Sequence, residues 1–226
     1  MLQKTQSGFY VLSKLAKVPK LVHGFSPKKF GNMSDKQGAA AARNRLQFAK
    51  AVGVDPASLA SVNQKHSQRI VTIRQETPLH KIELIEADAM ITNQKEIALL
   101  IKTADCLPLI LVAPEKKAIG LVHAGKLGVQ QGIHQEALAR LKAAFGVNPA
   151  ELLVGFGPAI CPQCYHAKIN LVKTVQIDLL KMGVKKENIQ LAETCTFENP
   201  DFYSHQRSMT TGEPEARFAT ILAWKN

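Results

Sequence analysis

The chain has 226 residues, 46% of them hydrophobic, with 29 Lys and Arg against 18 Asp and Glu for a formal net charge of +11. That length and apolar fraction suffice for a substantial core and exclude wholesale disorder. No run reaches the roughly 18 apolar residues of a membrane span, and the N-terminus lacks a signal-peptide pattern, so a cytoplasmic location is expected.

In chain order, a basic N-terminal segment, 1–37, comes first. Residues 1–50 hold ten basic residues and one acid, Asp35, while the remainder is nearly neutral. The Gly/Lys stretch Phe25–Gly38 is expected to be mobile. Residues 38–52 combine an alanine run with Leu46 and Ala49 on one face and Gly53 as a stop, which predicts a helix. Short apolar runs follow at Ile70–Ile73, Ala89–Thr92, Ile97–Ile101, Leu107–Ala113 and Ala118–His123, separated by polar turns, and these predict a closely connected sheet. Val129–Phe145 is periodic and ends at Gly146, which predicts one helix. A strand at Leu152–Phe156, a helix at Ile169–Met182 and a final strand at Arg217–Trp224 complete the chain. No repeat or linker divides it, so a single α/β (α+β) domain over 1–226 is expected. Its sheet must be mixed, because the gaps between residues 89 and 123 are too short for parallel crossovers.

Four cysteines are too few for a disulfide framework at this length. Twenty-two of the basic residues are Lys and seven Arg, with three Tyr and one Trp. Guanidinium forks and stacking platforms are therefore scarce, which argues against nucleic acid as the partner.

Three polar interruptions at strand mouths carry reactive side chains: Asn63-Gln64-Lys65-His66, Thr103-Ala104-Asp105-Cys106 and His123-Ala124-Gly125-Lys126. Two imidazoles and a thiolate suit Zn²⁺ or copper, and three protein ligands leave a fourth position open, as in catalytic sites. The spacings are too long for a zinc finger, so the fold must assemble the site. Cys161-Pro162-Gln163-Cys164 is a literal C-x-x-C with no second pair to complete a four-thiolate site, and Gly and Pro separate it from any strand-to-helix turn. A loop bordering the pocket is the favoured reading over a redox motif.

The segments Asn63–His66, Ala87–Thr92, Thr103–Pro108, His123–Gly125, Gly157–Ile160 and Phe202–Arg207 stand in the order and spacing of the YfiH/laccase-domain family (DUF152), which the chain resembles from about His23 to its C-terminus. Members are described as multicopper polyphenol oxidases, as purine nucleoside phosphorylases with adenosine deaminase activity, and as peptidoglycan editing factors. The resemblance implies a YfiH-like fold of mixed β-sheets flanked by helices, and a metal triad of His66, Cys106 and His123. The chain departs from the family at two places. Lys126-Leu127 follows His123-Ala124-Gly125 where relatives carry Trp-Arg, and Pro27-Lys28 stands where they carry an arginine.

The resemblance leads to the expectation of a zinc-dependent enzyme, with copper as the alternative metal, acting on purine nucleosides and phosphate. Zinc would activate water for attack at the purine C6 in deamination, and phosphate would attack ribose C1′ in phosphorolysis. Asp88 or Asp105 is the candidate acid/base, or Asp105 a partner orienting a ligand histidine. Lys28, Lys126 and Arg207 are candidate anion contacts, and Tyr165 a stacking surface. The alternative is a Cys/His hydrolase editing a peptidoglycan precursor, with Cys106 as nucleophile and His66 or His123 as base. A copper oxidase and a basic interaction protein are weaker readings, and the oligomeric state is left open.

Overall fold

Residues 1–225 are described in the computed structural model. In chain order they form β1 (Leu2–Lys4), β2 (Tyr10–Leu12), β3 (Leu21–Phe25), α1 (Ala39–Val52), β4 (Leu59–Ser61), β5 (Ile70–Ile73), α2 (Leu79–Ile82), β6 (Ala89–Thr92), β7 (Ala98–Thr103), β8 (Leu107–Ala113), β9 (Ala118–Ala124), α3 (Lys126–Gln130), α4 (Ile133–Phe145), β10 (Leu153–Phe156), α5 (Leu171–Lys181), β11 (Ile189–Leu191), α6 (His205–Thr211) and β12 (Phe218–Trp224).

The strands make two six-stranded sheets, ordered β1-β2-β3-β12-β7-β4 and β11-β10-β8-β9-β6-β5. Both are mixed. The first is antiparallel except where β4 lies parallel to β7. The second has an antiparallel centre and a parallel pair at each edge, β5 with β6 and β10 with β11.

Period-two alternation explains how the sheets stack. Leu99 and Ile101 of β7, Ile110 and Val112 of β8, Ile119 and Leu121 of β9, and Phe218 and Leu222 of β12 share one buried cluster, the filling between the two sheets. The opposite faces are covered as well. Leu100, Ala219 and Ile221 pack under Phe48, Ala49 and Val52 of α1. Leu109, Leu111 and Val122 pack under Ala137, Leu138 and Leu141 of α4 and Val175 and Leu179 of α5. The result is four layers, helix, sheet, sheet, helix. The central strands are apolar throughout because both of their faces are buried.

Several expectations are corrected. The middle runs do not share one sheet: β7 joins the first and β6, β8 and β9 the second. A strand buried on both faces reads the same whichever sheet receives it. The helix expected over Val129–Phe145 is two, α3 and α4, divided at Gly132, whose φ of 80° lies in the left-handed region that breaks a helix. The basic N-terminal segment contributes β1, β2 and β3 to the first sheet. The stretch expected to be mobile is anchored. Phe30 and Met33 are buried beside Phe48, and the Met33 N–H donates to the Arg217 carbonyl at 2.9 Å.

Candidate metal centre

The site lies at one end of the sandwich. β9 runs past its buried Ile119 and Leu121 and brings His123, of the same parity, to the strand end between the sheets. The turn from β7 to β8 supplies Cys106. Asp105 holds that turn with a φ of 80°. Its carboxylate accepts the Thr196 hydroxyl and the Gln206 N–H, each at 2.6 Å, and its carbonyl accepts the Ile160 N–H at 2.9 Å. Asp105 is thereby committed to joining three loops behind Cys106. The polar stretch before β5 supplies His66, itself at a φ of 60°. Non-glycine residues in this region are uncommon and persist where the surroundings over-determine them.

Asp88 does that over-determining. Fully buried ahead of β6, its carboxylate accepts the main-chain N–H of His66 at 2.9 Å, the N–H and hydroxyl of Ser67 at 2.6 and 2.8 Å, and faces His123 Nδ1 at 2.8 Å. Of the candidate ligands His66, Cys106 and His123, one is thus placed through its backbone and another through its ring, both by one carboxylate. The three donor atoms all lie within 4.8 Å of one another, with Cys106 Sγ 3.8 Å from His66 Nε2, and the two imidazoles meet edge to face at 4.7 Å between centroids.

The charges follow from this geometry. Burial would raise the Asp88 carboxyl, but the hydrogen bond and charge of His123 and the Ser67 contacts outweigh it and hold it at about 2. An ionised Asp88 is acceptor-only, so His123 must carry its proton on Nδ1 and present Nε2 to the cavity. Asp88 thus aligns the His123 ring through Nδ1. Burial pushes the Cys106 thiol up, yet the neighbouring His123 and His66 bring it down to about 6. Burial lowers His123, while the Cys106 and Asp88 charges raise it to about 9. The two shifts run in the direction of a thiolate beside an imidazolium.

This donor set fits a zinc-type ion. A soft thiolate and two imidazoles converge, one imidazole has its tautomer fixed by a carboxylate, and the cluster faces a cavity of about 570 Å³. Gly125 makes room for the ligands: a Cβ there would lie 2.9 Å from both Cys106 Sγ and His66 Cδ2. Among the described residues a second donor group also comes together, Cys161, Cys164, Cys195 and Glu198. The C-x-x-C does lie in a loop bordering the cavity, since Tyr165 lines it.

Of the other residues singled out from the sequence, Lys126 and Tyr165 line the cavity, whereas Lys28 and Arg207 are not brought to it. Lys28 pairs with Glu213 at 3.1 Å and lies 5.6 Å over the Tyr203 ring. Arg207 donates to the carbonyls of Thr196, Phe197 and Phe202 at 2.6 to 2.7 Å and pairs with Glu213, so its fork clamps a loop. Four other cations stand in the cavity wall, Lys36, Lys65, Lys102 and Arg217. Lys102 is buried and pairs with Asp35 at 2.5 Å; Arg217 enters just ahead of β12 and pairs with Glu215 at 2.6 Å. Lys102 had a visible signal, a lone charge inside an apolar strand. Arg217 had only its place at a strand start.

Two stretches, 23–169 and 166–224, match the family model described as multi-copper polyphenol oxidoreductase laccase. A purine nucleoside phosphorylase of Streptomyces coelicolor is 30% identical over 80% of this chain and 83% of its own, and one of Xylella fastidiosa is 30% identical over 96% and 92%. In structure, YlmD of Geobacillus stearothermophilus superposes with a TM-score of 0.89 at 21% identity over 100% of this chain and 99% of its own. The protein YfiH of Bacillus licheniformis does so at 0.88 and 20% over 99% of both. By its matched motifs, its two stacked sheets and its relatives, the chain belongs to this laccase-like YfiH/DUF152 family.

Proposed function

We propose that the protein is a zinc-dependent purine nucleoside enzyme that cleaves adenosine or inosine with phosphate and deaminates adenosine. The observation that carries this reading is the convergence of His66, Cys106 and His123 on the floor of a cavity whose wall holds Lys126, Lys102 and Arg217. Relatives at 26–30% identity that are named purine nucleoside phosphorylases support it. Zinc bound by the three ligands would supply a Lewis acid able to polarise an oxygen or bring the pKa of water toward neutrality.

In phosphorolysis a phosphate oxygen bonds to ribose C1′ as the C1′–N9 bond breaks and its electron pair leaves with the base. Lys126, already an anion-contact candidate from the sequence, and Arg217, in place of Lys28 and Arg207, would hold that phosphate; both line the cavity. Tyr165 offers an aromatic face to the purine. Asp88 keeps His123 aligned, and Asp105 holds the Cys106 turn rigid.

A second reading rests on one observation. A Cys106 thiolate beside a His123 imidazolium backed by Asp88 is also the arrangement of a cysteine hydrolase, here acting on a peptidoglycan precursor without metal. Adenosine and inosine incubated with and without phosphate separate the two. The nucleoside reading expects free base and ribose 1-phosphate only with phosphate, inosine from adenosine without it, and neither product from Cys106→Ala. Turnover of a UDP-linked muramyl peptide by chelator-treated protein, with both nucleosides untouched, would replace it by the hydrolase reading.

A further inference from the structure

We propose that Cys161, Cys164, Cys195 and Glu198 form a second metal site, which takes a thiophilic divalent ion, zinc by its ligand set, as a structural clamp between two loops. This inference does not depend on the nucleoside reading. The four donor atoms all lie within 4.8 Å of one another, with Glu198 Oε1 3.4 Å from Cys164 Sγ and 3.9 Å from Cys161 Sγ. All four cysteines of the chain are free thiols.

Three thiols and a carboxylate are a complete tetrahedral set, and the C-x-x-C spacing is that of zinc knuckles. The turn is tight, with the N–H groups of Cys164 and Tyr165 both donating to the Cys161 carbonyl at 3.2 and 3.0 Å. One backbone amide is aimed at a sulfur: the Cys161 N–H points to Cys195 Sγ at 3.3 Å. Such a donor favours thiolate, the form that binds metal. Burial and the surrounding sulfurs push the Cys164 and Cys195 thiols up, Glu198 adding to the effect at Cys164. The cluster therefore ionises fully only around a cation, releasing its thiol protons to solvent as the metal enters.

The clamp has a purpose in the fold. One loop lines the triad's cavity and the other braces its wall: Tyr165 follows Cys164 and lines it, while Thr196 follows Cys195 and donates to the Asp105 carboxylate behind Cys106. Otherwise the loops are joined mainly by the bridge between Ala159 and Cys195.

Cobalt titration of full-length Cys106→Ala/His123→Ala, in which the triad is dismantled, tests the site. The expected result is about one equivalent bound, with the absorption of a cobalt–thiolate bond, and loss of both when Cys195→Ser is added. Glu198→Gln weakens binding about ten-fold and keeps the thiolate band. Zinc raises the melting temperature of the triad variant by about 5 °C or more at saturating concentration. Because the first titration leaves the cluster unaltered, it decides even if Cys195→Ser fails to fold. No cobalt bound in the triad variant, or two thiols missing from denatured, unreduced protein because they form a disulfide, overturns the site. Binding without a change in melting temperature overturns the clamp.

Discussion

The Asp88 carboxylate faces His123 Nδ1 at 2.8 Å while also accepting the main-chain N–H groups that fix the turn carrying His66. The pair couples the two imidazoles of the candidate metal triad to one buried charge. Neither histidine can shift without disturbing the acceptor of the other.

Asp88→Asn removes that charge and puts an amide N–H₂ where at least one donor now points. Zinc affinity falls about 10- to 100-fold, the usual effect of losing a partner behind a ligand histidine. Competition against a chromophoric chelator measures it. An unchanged affinity would mean that Asp88 serves the fold alone.

Gly125→Ala places a methyl 2.9 Å from Cys106 Sγ and His66 Cδ2. Overlap at that distance forces ligand atoms apart while leaving the core untouched. Metal stoichiometry and turnover fall together, and the urea midpoint changes little. A fully active, fully metallated variant would show that the ligands have room to move.

The two arginines separate by assay. Arg207→Met orphans three carbonyls and leaves Glu213 with Lys28 as its partner, which lowers stability by about 2 to 4 kcal/mol. Arg217→Ala loses a partly exposed pair with Glu215, costs about 1 kcal/mol or less, and raises the KM for phosphate about ten-fold. Denaturant curves and phosphate saturation measured on both variants check the pair, and the reverse pattern would exchange their roles.

His23 sets an acid limit on stability. Its Nε2 accepts the Leu12 N–H at 2.8 Å, and burial lowers its pKa from 6.5 to about 4. Between those values the unfolded chain binds a proton that the folded chain refuses, so stability rises with pH across the window. Conversely it is lost as pH falls from 6.5 toward 4, by up to about 3 kcal/mol. Urea midpoints at pH 7, 5.5 and 4.5 decline less steeply in His23→Gln than in the parent chain.

Much of the fold is legible in residue order because it is local. The alanine run of α1, the apolar runs of β6 to β9 and the periodicity of α5 depend on neighbours within a few residues. Residue chemistry also singles out His66, Cys106 and His123 as donors at strand mouths. The short strands β1, β2, β4 and β11 leave too few alternating residues to register, and Gly132 divides a helix whose periodicity runs on past it.

Partners distant in sequence decide everything else. Lys28 and Arg207 look like anion contacts until the fold sets Glu213 and three carbonyls beside them, and Lys102 looks like a strand interruption until it reaches the cavity wall. The C-x-x-C lacks two donors until β11 and the loop after it bring Cys195 and Glu198 alongside. Donor type is a property of the side chain and can be read from residue order. What each charge or thiol does depends on the groups within about 4 Å of it, since Coulomb energy falls with distance and desolvation is set by the packed surroundings. Only the closure of the two sheets determines those neighbours.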